Sequence, residues 1–185
     1  KTGVQFAGQH SGLPDTRAAV LVGEDNVPLA ELLYGHAATV WRINLGWRRR
    51  KPDQPLGFEL DTERGYWARS RPDQDDDPDP DDPASPQQER VIPYVDDTRN
   101  CLLLRPIGHV DDALMASLQA ALKTAIQLYF QLEDRELAAE PLPSTGDRQQ
   151  ILFYEASEGG AGVLRQLVDD EGKRALAKVA ETALE

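Results

Sequence analysis

The pattern of hydrophobic and polar positions predicts β-strands in the first half of the chain. Residues 39–45 alternate with a period of two and are rich in β-branched and aromatic side chains, as a strand requires. Residues 57–61 and 66–70 predict an antiparallel pair, because the turn between them contains Gly65, which can adopt positive φ. Residues 1–34 are weakly patterned, so we expect an irregular lead-in with at most one short element near its end.

The pattern changes to a helical period in the second half. A hairpin is still predicted from residues 91–95 and 101–105, but from residue 111 to 132 apolar side chains recur every three or four positions. That spacing predicts the longest helix of the chain, with Asp111 or Asp112 capping its first turn. Two strands and then two helices are predicted after it, at residues 137–142, at 150–156, from 163 onward and at 173–184.

These elements predict an α+β fold, in which an antiparallel sheet is packed by one long helix and by C-terminal helices. We expect the lead-in at residues 1–34 to be followed by one α+β domain at 35–185. A chain of 185 residues is long enough to bury a core, and no apolar run approaches the ~18 residues of a membrane span. Because the chain begins with Lys1 and not with Met, we expect a fragment of a longer protein, and the absence of a signal segment here says little about the parent.

Charge is distributed unevenly along the chain, whose formal net charge is −12. Residues 71–89 hold seven Asp and one Glu against one Arg, with five Pro and no large apolar residue, which predicts an exposed, disordered acidic loop. Residues 41–71 hold eight Arg or Lys against four Asp or Glu, together with all three tryptophans. Arginine interleaved with tryptophan offers both phosphate contacts and stacking faces. Two alternatives stay open: the tryptophans face the core, or the basic run pairs with the acidic loop.

The candidate nucleic-acid-binding residues form two groups. The first group would contact phosphates through its cations, with a tryptophan as a stacking face, and consists of Arg42, Trp47, Arg48, Arg49, Arg50 and Lys51. The second group is the backbone of a glycine-rich turn between a strand and a helix, at Gly159, Gly160 and Gly162, where exposed N–H groups could hold a phosphate. Close packing of the strand on the helix, with nothing bound, is the alternative for this turn.

The sequence evidence for other candidate sites is weaker. Glu155 and Glu158 flank the glycine-rich turn and could bind a metal or transfer protons, although a solvated carboxylate or a helix cap is the favoured interpretation. The single cysteine, Cys101, cannot form an internal disulfide or a thiolate zinc site and is expected to be a small buried side chain in a reducing cytosol. The three histidines are scattered at His10, His36 and His109. We therefore predict no catalytic residue and no metal ligand in this chain.

Three segments together resemble a known family. They are residues 38–51 with 57–67, the strand NCLLLRP with the long helix after it, and LFYEASEGGAGVL at 152–164. They resemble the C-terminal domain of unknown function that is appended to DEAD/DEAH-box superfamily-two helicases. The family includes the mitomycin-repair helicase, which has a zinc-binding domain, and helicase components of anti-phage systems such as DISARM and Druantia. The resemblance covers roughly residues 35–184.

The resemblance implies an accessory domain of a bacterial DNA helicase or translocase, acting in the cytoplasm in phage defence or DNA repair. Its partners would be the helicase core and DNA, with no membrane contact and no cofactor in this fragment. ATP hydrolysis would belong to another part of the parent protein or to a partner. Relatives carry a cysteine cluster beyond the glycine-rich turn, so we expect zinc only if such a cluster lies beyond Glu185. An alternative function is a protein–protein interaction module whose acidic loop docks on or masks a basic surface, and a hydrolase using Glu155 and Glu158 ranks last.

Overall fold

The computed structural model of the chain divides it into two compact units. Unit 1 combines Lys1–Trp41 with Asp96–Glu185, and unit 2 is Arg42–Val95. The residues that the structure describes are 1–6, 16–23, 25–47, 49–63, 65–67, 88–143, 147–156, 160–169 and 173–184.

A six-stranded sheet is the centre of unit 1. In chain order its strands are β1 (Thr2–Gln5), β2 (Thr16–Val22), β3 (Pro28–Ile43), β7 (Tyr94–Pro106), β8 (Leu137–Leu142) and β9 (Gln150–Glu155). The strand order in the sheet is β1-β3-β7-β9-β8, and β2 also pairs with β3. The pairs β2–β3, β7–β9 and β8–β9 are antiparallel.

The prediction of an irregular lead-in at residues 1–34 is wrong for the described part of that segment. Two complete strands and the start of β3 lie there, and the predicted domain boundary at residue 35 falls inside β3. The alternation was hidden because β2 exposes small or β-branched apolar side chains where a surface strand commonly has polar ones. Val20 and Val22, for example, both face solvent.

In the part of the chain that the structure describes, three helices accompany this sheet: α1 (Asp112–Phe130), α2 (Val163–Gln166) and α3 (Lys173–Leu184). The predicted cap of α1 is confirmed, because the Asp111 carboxylate accepts a hydrogen bond of 2.7 Å from the Leu114 backbone N–H. α1 buries Met115, Leu122 and Ile126 in a core shared with Phe153 of β9. No helix among the described residues is long and apolar enough to cross a membrane.

Unit 2 contains a three-stranded antiparallel sheet of β4 (Phe58–Asp61), β5 (Tyr66–Trp67) and β6 (Gln88–Val91), in the order β5-β4-β6. The predicted turn between β4 and β5 is confirmed: Gly65 has φ of 74° and its N–H donates to the Asp61 carbonyl at 2.8 Å. The acidic loop predicted at residues 71–89 lies outside the described residues, except for Gln88 and Glu89, which belong to β6.

The predicted hairpin of residues 91–95 and 101–105 is wrong. β7 runs without interruption from Tyr94 to Pro106, and β6 pairs with β4 instead. The polar residues 96–100, which suggested a turn, remain extended because groups at the end of β9 satisfy them: the Arg99 guanidinium donates to the Ala156 carbonyl, and the Asn100 amide donates to the Glu155 carboxylate. The α+β class, with its mainly antiparallel sheet, long helix and C-terminal helices, is confirmed.

Candidate functional site

Three aromatic rings form an exposed cluster in unit 2. The phenyl ring of Phe58 meets Trp47 with ring centroids 5.3 Å apart and Trp67 with centroids 5.7 Å apart, both in edge-to-face geometry. Trp47 is 66% exposed and Trp67 is 52% exposed, so the prediction that tryptophans face the core is wrong for these two. They line a groove of about 320 Å³, which we call the aromatic groove and which is bordered by Trp47, Arg49, Arg50, Gln54, Pro55, Gly57, Phe58, Glu59, Trp67 and Arg90.

Backbone hydrogen bonds bring the segment that carries Trp47 against β4. The Gly57 N–H donates to the Leu45 carbonyl at 2.8 Å, and the Asn44 N–H donates to the Pro93 carbonyl at 2.9 Å. Gly57 has φ of 89°, and a Cβ there would overlap the Val91 carbonyl of β6, so only glycine permits this close approach. The main chain therefore positions Trp47 beside Phe58.

The arginines around the aromatic groove have different roles. The Arg50 guanidinium donates to the carbonyls of Lys51 and Gln54, so it holds its own loop together. Arg90 forms an ion pair with Glu59, its cross-strand partner in the β4–β6 register. The Arg49 side chain is exposed, and among the described residues it has no ion-pair partner.

The structure places the sequence-predicted cations of the first group in unit 2, but only part of that group borders the aromatic groove. Trp47, Arg49 and Arg50 line it. Arg42 and Lys51 are exposed but do not line it. Arg48 lies outside the described residues.

Sequence analysis missed Phe58, Trp67 and Arg90 as members of this site. Each belongs to a different strand, and the pairs Leu60↔Trp67 and Glu59↔Arg90 bring them together. The predicted hairpin at residues 57–70 already implied that Trp67 lies near Phe58. No local sequence feature pointed to Arg90, because the long acidic segment separates its strand from β4 along the chain.

The glycine-rich turn in unit 1 surrounds a carboxylate of the protein itself. Glu155, at the end of β9, is 1% exposed. Its Oε2 accepts hydrogen bonds from the Gly162 N–H at 3.0 Å and from the Asn100 amide at 3.1 Å. Its Oε1 accepts from the Leu164 N–H at 3.0 Å. The helix-capping interpretation of Glu155 is confirmed, and the solvated one is wrong.

This arrangement explains why the turn is rich in glycine. Gly160 has φ of 62°, and a Cβ there would overlap both the Glu155 carboxylate and the Asn100 amide. The Gly162 N–H, a predicted phosphate donor, already donates to Glu155. Close packing of strand and helix therefore accounts for the described part of this turn. Gly159 and Glu158 lie outside the described residues.

Two groups near Glu155 have raised pKa values. The pKa of Cys101 is raised to about 12, chiefly because burial desolvates the thiolate; Arg99 opposes the rise and the Glu155 charge adds to it. Desolvation, with a smaller contribution from Glu155, raises the pKa of Tyr34 to about 12. Both groups are therefore neutral at physiological pH, and Cys101 is the small buried side chain that the sequence predicted. His36 and His109 are exposed, and His10 lies outside the described residues.

A comparison with protein-family models matches the C-terminal third of the chain to one family. Residues 118–185 match the family model of the MrfA Zn-binding domain. No curated protein sequence matches the chain. The crystal structure of the DUF1998 helicase MrfA bound to DNA aligns with 97% of this chain and 20% of that chain, at 11% identity and a TM-score of 0.45. The chain thus spans about a fifth of the length of that helicase. The family match confirms the predicted resemblance to a helicase-associated C-terminal domain.

The family description names zinc, but the residues of this chain do not fit a zinc site. Structural zinc needs four ligands, usually thiolates and imidazoles. The only cysteine is fully buried as a neutral thiol. Within the described ranges, no three or more His, Cys, Asp or Glu side chains lie together as metal ligands would.

Proposed function

We propose that this chain is an accessory domain of an MrfA-type helicase and that unit 2 contributes a DNA contact to it. The match of residues 118–185 to the family model supports the first part. The observation that carries the second part is that Arg49 and Lys51 are exposed in unit 2, which also exposes Trp47 and Trp67. The helicase core would be the partner that hydrolyses ATP, while this chain would hold or guide the strand. We further propose, from the family resemblance, that the parent acts in the cytoplasm in phage defence or DNA repair.

The phosphate contacts are assigned to exposed cations of the first group. Arg49 has no ion-pair partner among the described residues, Lys51 is exposed, and Arg42 extends the same basic stretch in unit 2. Arg48 belongs to this run by sequence. Arg50 is assigned a different role, because its guanidinium holds the loop carbonyls of Lys51 and Gln54. The Gly162 N–H is not assigned a phosphate contact, because it donates to the Glu155 carboxylate.

The net charge of the chain favours a second candidate function. At −12, the whole chain produces a negative field that repels duplex DNA. A protein–protein interaction module, which docks on a basic surface of the helicase core, would benefit from the same charge. The two functions differ in one measurable property, namely whether the isolated chain binds DNA at low salt.

The test is fluorescence anisotropy of the 185-residue chain with labelled single-stranded and duplex DNA, from low salt to about 0.2 M. Binding should weaken linearly on a logarithmic plot, and the variant Arg49→Ala/Lys51→Ala should lower the single-strand slope by about 0.7 per lost contact. Arg135→Ala is the matched control, because it removes an 86% exposed guanidinium from unit 1. Absence of binding at low salt would contradict the DNA contact and would favour the interaction module.

A further inference from the structure

Unit 2 leaves its largest apolar side chains accessible to solvent. Trp47 and Trp67 each expose more than half of their surface, although tryptophan is on average a highly buried residue. Exposing two indoles forfeits the stabilisation that their burial would contribute. Large aromatic surfaces that stay accessible mark sites of ligand or partner binding more often than chance allows.

The geometry of the rings suits a flat ligand. Phe58 meets Trp47 at an interplanar angle of 80° and Trp67 at 63°. Edge-to-face contacts of this kind fix the orientation of the rings, and each covers at most one face of an indole. With the exposures given above, each of the two indoles in contact with Phe58 keeps surface accessible to a ligand. The aromatic groove therefore offers preoriented π surfaces.

The charges around the groove indicate that the flat ligand is anionic. Three arginines line it against one glutamate: Arg49, Arg50 and Arg90 against Glu59. Glu59 is neutralised by Arg90, and Arg50 holds loop carbonyls, so Arg49 remains as the cation without an ion-pair partner among the described residues. A volume of about 320 Å³ lies at the small end of ligand sites, which suits one flat ring system and its charged attachment.

We propose that the aromatic groove stacks an unpaired nucleobase, so that unit 2 distinguishes a single nucleic-acid strand from a duplex. Phe58 and Trp67 thereby join Trp47 as base-binding residues, and Arg49 contacts the neighbouring phosphate. Every base has a π face, so stacking of this kind is tolerant of sequence. In a duplex the base faces are already stacked on one another and cannot reach the indoles. This inference rests on the proposed function, because it names the substrate form that the DNA contact selects.

The experiment compares two strands that carry the same phosphates. One is a labelled oligothymidylate, and the other is an abasic strand of equal length. The chain should bind the oligothymidylate more tightly than the abasic strand. Trp67→Ala and Trp47→Ala should each weaken binding of the oligothymidylate by about 5-fold to about 100-fold and leave the abasic strand unaffected. Trp67→Phe should restore part of the affinity, because a phenyl ring still stacks.

Tyr94→Ala is the matched control, because Tyr94 belongs to unit 2, is 64% exposed and does not line the groove. Circular dichroism and urea unfolding of each variant would verify that it is folded. Equal affinity for the two strands, with no effect of Trp67→Ala, would overturn the base-stacking site and leave the phosphate contact standing. No binding of either strand at low salt would overturn both this inference and the DNA contact on which it rests.

Discussion

Unit 1 buries Tyr34 and Phe153, whereas unit 2 exposes Trp47 and Trp67. Tyr34 and Phe153 of unit 1 are 2% and 0% exposed, respectively, and Phe153 packs into the core under α1. Trp47 and Trp67 of unit 2 contact Phe58 through ring edges and otherwise face solvent. Unit 1 therefore uses these aromatic side chains in its core, whereas the two tryptophans of unit 2 are the surface to which we assign base stacking.

Charged groups follow the same division. Unit 1 buries the Glu155 carboxylate and satisfies it with three hydrogen bonds from the protein itself. Unit 2 keeps Arg49 and Lys51 on its surface. The glycine-rich turn of unit 1 thus holds a carboxylate of the protein itself, whereas we assign the exposed cations of unit 2 to an external anion. The predictions below test this contrast, in order of decreasing effect.

The largest difference in stability is expected between removing a buried aromatic ring from unit 1 and removing an exposed one from unit 2. Phe153→Ala should lower the free energy of unfolding by about 4 kcal/mol, because it deletes a fully buried ring and leaves a cavity. Trp47→Ala should lower it by only about 1 kcal/mol, since it removes an exposed ring with one edge contact. Urea unfolding followed by circular dichroism measures both. Similar losses for the two variants would mean that Trp47 is structural.

The buried carboxylate of unit 1 is the next target. Glu155→Ala should lower the free energy of unfolding by about 3 kcal/mol. It removes the carboxylate that accepts hydrogen bonds from the Asn100 amide and from the Gly162 and Leu164 N–H groups. Glu31→Ala is the matched control: it breaks an exposed ion pair with Arg105 and should cost at most about 1 kcal/mol. If both variants unfolded at the same urea concentration, Glu155 would not be the centre of the turn.

A smaller difference in stability is expected between alanine variants of two glycines in the same turn. Both Gly160 and Gly162 have positive φ, so alanine at either position should cost about 1 kcal/mol for its left-handed conformation. Only at Gly160 would the new Cβ overlap Glu155 and Asn100, whereas at Gly162 nothing lies within 4 Å. Gly160→Ala should therefore be the less stable variant by about 2 kcal/mol in the same unfolding assay. Equal stabilities would show that the turn can relax around a side chain.

The elements with strong local signals were predictable from the sequence. α1 and its Asp111 cap follow from helical periodicity and a capping carboxylate, and the Gly65 turn follows from its flanking strands. β2 could not be predicted, because its outward-facing residues are apolar and conceal the alternation. The continuity of β7 could not be predicted either, because residues 96–100 have the composition of a turn. Their extended conformation depends on partners elsewhere in the chain.

The candidate site was predictable only in part. The composition of residues 41–71 pointed to Trp47 and the basic run, because tryptophan and arginine are concentrated there. Composition could not distinguish Arg49 from Arg50, since only the fold shows that Arg50 holds loop carbonyls. Arg90 lines the aromatic groove because β6 pairs with β4, which is distant in sequence. No local sequence pattern predicts such a pairing.

The sequence by itself determined the α+β class, the long helix, the basic and aromatic composition of one window, and the glycines that a tight turn requires. These properties depend on residues that are near one another along the chain. Their spacing and backbone freedom can be recognised from the local sequence. Only the tertiary structure decided that Glu155 is a buried cap, and that Trp47, Phe58 and Trp67 form an exposed cluster. Whether a carboxylate is satisfied internally, and whether a ring is covered, depends on strands and turns that are distant in sequence and meet only on folding.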